Sequence, residues 1–141
     1  MIENKSYSLE RFNKLHEEFL SKSQEILTWK REEYAPSDDR LENFRTVGNF
    51  LDKKPSVIAL IYLLKHIQSI AVAVITGVFV WAWEKDGGEA LKQRIVDAIN
   101  YLLLLAACID EESEAKYEPM SAVRTTGKSE KAAALGGQDQ G

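Results

Sequence analysis

Between Ile67 and Trp83 the chain runs 17 residues without a charged side chain, although 28% of the whole sequence is charged. A stretch of that length stands at the lower limit for crossing a bilayer. Gln68, Ser69, Thr76 and Gly77 interrupt it, and Lys65-His66 lies just upstream. A central helix buried on several sides accounts for the same pattern. The expectation is a buried helix from Ser56 to about Trp83 in a soluble protein, with membrane insertion as the alternative. Residues Val74 to Val80 are largely β-branched, so this helix is expected to kink or stop near Gly77.

The flanking sequence supplies three more helices. Ser8 can cap a helix to about Tyr34, in which Leu9, Phe12, Leu15, Phe19, Ile26 and Trp29 form one apolar stripe. Ala35-Pro36 breaks it. Asp39 followed three residues later by Glu42 has the form of a helix start, and a short helix is expected from Asp39 to Leu51. Pro55 suits the first turn of the third helix. Asp86-Gly87-Gly88 reads as a turn, and a fourth helix is expected from Glu89 to about Glu112. The fold class expected is therefore all-α: a bundle of about four helices over residues 1–112. Residues 113–141 lack apolar periodicity and are expected to form a disordered tail.

With 141 residues and 45% hydrophobic content, the chain can build one ordinary core. Its net charge is −4 with Lys and Arg scattered, so no basic stripe suggests a nucleic-acid partner. A small anion is still compatible, because two cationic side chains or one metal ion invert the local field. The single cysteine, Cys108, falls in an apolar run and is expected to be a buried thiol. No secretory pattern opens the sequence, so a cytoplasmic location is expected.

Polar residues on the two most apolar helices are the candidates for a site. On a helical wheel starting at Glu89, Asn100 falls at about 20°, Gln93 at about 40°, Asp97 at about 80° and Tyr101 at about 120°. Leu, Ile and Ala fill most of the remaining circle. On the third helix Tyr62, Lys65, His66, Ser69 and Thr76 occupy an arc of about 100°. Two apolar helices with one polar seam each pack most economically with the seams facing a shared cleft. That places Asp97 and Lys65 in one hollow, where Lys65 can face phosphate. Asp97 and Glu89 could hold Mg²⁺, but they lie about 12 Å apart along the axis and need partners. Glu33 and Glu42 are candidates, as are Glu32, Asp38 and Asp39. A glycine-rich phosphate loop, a zinc spacing and a nucleophile motif are all missing from the sequence.

Three short elements carry a resemblance. Lys30-Arg31-Glu32-Glu33-Tyr34-Ala35 resembles the Lys-x-x-Asp-Tyr-Gly element of small phage proteins related to nucleotide-modification-associated domains. Lys65-His66-Ile67-Gln68-Ser69 fits their Lys-bearing helix. Asp97-Ala98-Ile99-Asn100-Tyr101 matches their Asp-x-x-Asn-Tyr element, with Glu89 upstream. Those proteins are in turn similar to the all-α NTP pyrophosphohydrolase superfamily, which includes MazG and dimeric dUTPases. The resemblance covers Trp29 to Glu112. It implies an oligomeric bundle that uses Mg²⁺ to cleave nucleoside triphosphates to monophosphate and pyrophosphate. By position it implies that Asp97, Glu89 and Lys65 act in catalysis, with Tyr34, His66, Ser69, Asn100 and Tyr101 on the nucleotide. MazG-like proteins carry Glu-Glu-x-x-Glu and Glu-x-x-Asp, whereas Glu17-Glu18 here is followed by Ser21 and Arg94 precedes Asp97 by three. The expected function is a Mg-dependent nucleoside triphosphate pyrophosphohydrolase. Its alternatives are a non-catalytic protein that binds or sequesters a nucleotide-derived ligand, and a small membrane-associated helical protein. The partners expected are a nucleotide and further copies of the chain, without nucleic acid or membrane.

Overall fold

A computed structural model describes residues 6–34 and 38–114, the side chains of residues 32–34 excepted. The expected disorder from residue 115 onward lies outside the described residues. Four helices dominate: α1 (Leu9–Tyr34), α2 (Glu42–Leu51), α3 (Pro55–Thr76) and α4 (Leu91–Ser113). A two-stranded antiparallel hairpin, β1 (Glu84–Lys85) and β2 (Gly88–Glu89), joins α3 to α4. The all-α expectation holds.

The helix ends follow from local chemistry. Ser8 Oγ accepts a hydrogen bond from the Arg11 backbone N–H at 3.1 Å, satisfying one orphan donor of α1. Asp39 does not cap α2 as the sequence suggested. Its carboxylate accepts from the Leu41 N–H at 3.0 Å, two residues on, and the helix begins only at Glu42. Pro55 occupies the first turn of α3, where a missing N–H costs nothing. The helix stops at Thr76 and not at Trp83, because Gly77 takes the left-handed conformation with φ 69°. Residues 78–83 then run back toward the start of α4. Their carbonyls at Val80, Ala82 and Trp83 accept from Leu91, Lys92 and Ala90 at 3.1–3.2 Å. Backbone oxygens thus satisfy the first donors of α4, which starts at Leu91, so Glu89 belongs to β2 and its wheel position is void.

The core lies where α2 and α4 meet α3. Phe44, Ile58, Ala59, Leu41 and Cys108 are buried there, ringed by Tyr62, Tyr101 and Leu104. Cys108 is the core thiol expected, and burial pushes its pKa up to about 11, with Glu112 and Glu111 adding to the effect. Arg45 ties α2 to the end of α4 through Glu111 and pairs as well with Asp39, just before α2. α1 seats differently. Among its described side chains it buries only Ser23 and Ile26, and it is fixed to α4 by polar contacts, among them Lys92 Nζ on Glu18 at 2.8 Å.

The expectation of an α3 buried on several sides is overturned. Leu60, Ile61, Leu64, Ile67, Val72, Val74 and Ile75 are all exposed, from 42% at Leu60 to 83% at Ile75. The cause is the arrangement of the neighbours: α2 and α4 cover one face of α3, while α1 packs on α4. By length and composition alone, α3 is apolar enough to cross a membrane.

Candidate functional site

Where α1, α2 and α4 meet over α3, a cavity of about 380 Å³ opens. Lys30 and Arg31 reach it from α1 and Arg40 from the turn before α2. Asn43 and Phe44 come from α2, Tyr62 from α3, and Asn100 and Tyr101 from α4. Among the described residues three cations line it and no carboxylate does. Arg31 meets Asp38 at 3.0 Å, but Asp38 is fully exposed, so that pairing is weak. Arg40 donates to the Leu27 carbonyl at 3.0 Å, which holds the turn before α2 against α1. Phe44, Tyr62 and Tyr101 form one aromatic wall, with ring centroids 5.9–6.4 Å apart. His66 stacks on Tyr101 at 4.9 Å. Burial lowers the His66 pKa against the opposing charge of Asp97, and the Lys30 charge lowers it further.

Asp97 lies beside this cavity, 2% exposed. Its Oδ1 receives Lys30 Nζ at 3.5 Å and Gln93 Nε2 at 3.3 Å. The cation facing Asp97 is therefore Lys30 of α1. Lys65, expected there, is exposed and outside the cavity lining. Its place on the wheel is correct for a seam, but the seam is closed by α1 and not by α3. Asn100 is 4% exposed, and its Oδ1 accepts from Ser23 Oγ at 2.5 Å. Asn100 Nδ2 is buried with no hydrogen-bond partner among the described residues.

The remaining expected residues disperse. Ser69 is half-buried and outside the lining, and the side chains of Tyr34 and Glu33 lie outside the described residues. Glu42 is on the exposed side of α2. Glu89 lines a second hollow of about 330 Å³ with Lys22, Glu25, Trp29, Trp83 and Gln93. Lys30 borders both hollows. Among the described residues no group of three His, Cys, Asp or Glu side chains is placed to hold a metal ion. Among the described residues the one buried carboxylate, Asp97, already receives an ammonium and an amide.

Sequence reasoning brought Asn100 and Tyr101 to this cavity, and Asp97 and His66 to its border. It missed the cations that line the cavity. Lys30 and Arg31 stood in the resemblance without a role, and Arg40, Asn43 and Ser23 stood nowhere. A third wheel, for α1, would have put Ser23, Ile26 and Lys30 on one face at steps of three and four. No family model, curated protein or solved structure matches the chain.

Proposed function

We propose that this protein binds a small phosphorylated ligand with a planar ring, a nucleoside phosphate, in the cavity between α1, α2 and α4. One observation carries the reading: Lys30, Arg31 and Arg40 line a half-open cavity beside an aromatic wall, with no acidic side chain among the described residues that line it. Such a field favours an anion even in a chain of net charge −4, because nearby charges outweigh distant ones screened by salt. Guanidinium groups suit phosphate geometry, and the volume is in the range of small-molecule sites. The resemblance to nucleotide-directed phage proteins points the same way. Binding without hydrolysis fits better than a metal-dependent pyrophosphohydrolase, since Asp97 is paired with Lys30 and Glu89 lines the second hollow.

The test is a thermal-shift panel on the full chain with nucleosides, nucleoside mono-, di- and triphosphates and tripolyphosphate, with and without Mg²⁺. Pyrophosphate release is measured alongside. The nucleotides should raise the melting temperature and the nucleosides should not, since ligand at about 100 times Kd adds about 2.7 kcal/mol. Arg40→Ala should weaken binding roughly tenfold, the scale of one charged hydrogen bond. A panel in which no anion shifts the transition rejects the reading. Turnover that vanishes in Asp97→Asn would establish the hydrolase instead.

A further inference from the structure

The second hollow has a chemistry opposite to that of the first. It holds about 330 Å³ between the C-terminal half of α1, the hairpin and the first turn of α4, at the small end of the range for small-molecule sites. Among the described residues, each of the two cations that line it already has a carboxylate. Lys22 Nζ meets Glu25 at 3.3 Å and Lys30 Nζ meets Asp97 at 3.5 Å. The Trp83 indole N–H goes to Glu18 at 2.9 Å. Gln93 has no choice of orientation, because a carboxylate only accepts. Its Nε2 faces Asp97 at 3.3 Å, so the carbonyl oxygen Oε1 is the end left over.

What remains is a surplus of acceptors beside an open indole. Glu84 and Glu89 stand directly opposite each other across the hairpin, an arrangement in which like charges repel. Both line the hollow, and no ion pair or hydrogen bond among the described residues offsets either carboxylate. Lys22 and Lys92 each lie 5.6 Å from the Trp83 ring, so that indole is taken. Trp29 is 55% exposed, with no ring or cation on its face among the described residues. We infer that this hollow binds a small organic cation with N–H donors, an alkylguanidinium or alkylammonium ion, between Glu84, Glu89 and Trp29. The cation ends the repulsion across the hairpin and lays its charge against the indole. A guanidinium suits the place best, since its planar fork matches a carboxylate and its flat face stacks on an aromatic ring. The Lys22–Glu25 and Lys30–Asp97 pairs cancel, so the field left in the hollow is that of Glu84 and Glu89. Among the described residues no third acid, imidazole or thiol joins them to hold a bare metal ion. The inference is independent of the nucleotide reading, because Lys30 alone among the described residues lines both spaces.

The experiment is calorimetric titration of the full chain with butylguanidinium, butylammonium, tetramethylammonium and Mg²⁺. Butylguanidinium should bind with a Kd below about 1 mM. Tetramethylammonium carries the charge but no N–H, and should bind at least about tenfold more weakly. The double variant Glu84→Gln, Glu89→Gln should weaken butylguanidinium at least about tenfold, and Trp29→Leu about threefold. All three substitutions fall on exposed side chains, so the fold is not at stake. Glu10→Gln with Glu17→Gln makes the same change in net charge on the exposed N-terminal half of α1 and should leave binding unchanged. An equal loss in that pair would mean the cation feels only the overall charge, which overturns the inference. So would tetramethylammonium binding as tightly as butylguanidinium, or a Glu84→Gln, Glu89→Gln double variant that binds like the wild type. Tighter binding of Mg²⁺ would replace the organic cation with a metal, and silence from both N–H cations would leave the hollow without a ligand.

Discussion

Asp97 and Lys30 form a lopsided pair. The carboxylate side chain is 3% exposed and the ammonium side chain 39%, so only Lys30 retains water as a second partner. Removing Lys30 strands a buried charge with Gln93 as its remaining donor, whereas removing the charge of Asp97 leaves a lysine that can hydrate. Lys30→Met is therefore expected to cost about 2–4 kcal/mol, and Asp97→Asn only about 1 kcal/mol. Urea unfolding of both variants checks this, and a larger loss for Asp97→Asn would contradict it. Asp97 could be singled out from sequence because its helical neighbours are apolar, which makes an unpartnered carboxylate there costly. Its partner could not. Lys30 is 67 residues away on a helix whose pattern reads as an ordinary wet face. Lys65 shared the expected seam and was the nearer guess, but no pattern along one helix records which neighbour closes over it.

Gly48 shows why α2 and α3 join as they do. A Cβ there would meet the Lys53 carbonyl oxygen at 2.5 Å, a backbone atom that cannot swing aside. Alanine would add up to about 1 kcal/mol of helix propensity, but the clash opposes it inside a tight turn. Gly48→Ala should lower stability by about 1–3 kcal/mol, and a rise in the thermal midpoint would refute the close approach. The helices themselves were largely legible, since period and punctuation are local signals. α1 has the expected end at Tyr34 and α2 at Leu51, and α3 stops where Gly77 invited it to. The α2 start was misplaced by the local Asp39–Leu41 bond, the α4 start by non-local ones. The start of α4 shifted from Glu89 to Leu91 because carbonyls from 80–83 satisfy its first donors, and no sequence rule forecasts that pairing.

As a whole, the molecule leaves one helix half uncovered. Leu60, Leu64, Ile67 and Val74 recur on α3 at steps of four, three and seven, all exposed. A contiguous apolar stripe of this kind marks an interface. A second copy of the chain is the occupant favoured over a bilayer. Lipid would have to take Lys65, exposed at mid-helix, at about 2.5–3.5 kcal/mol, while a dimer can leave it wet at the rim. Sedimentation should show a dimer without detergent, and Leu64→Lys should yield a helical monomer. A wild-type monomer at high micromolar concentration, or a chain that needs detergent to stay in solution, would exclude the dimer. The different seating of α1 has a consequence of its own. α2, α3 and α4 share an apolar core, whereas α1 is clasped to α4 largely by Glu18–Lys92, Ser23–Asn100 and Lys30–Asp97. Since α1 is also one wall of the cavity, docking of that helix and retention of the proposed ligand would be coupled. Glu18, outside the cavity lining, would then act on ligand residence through α1.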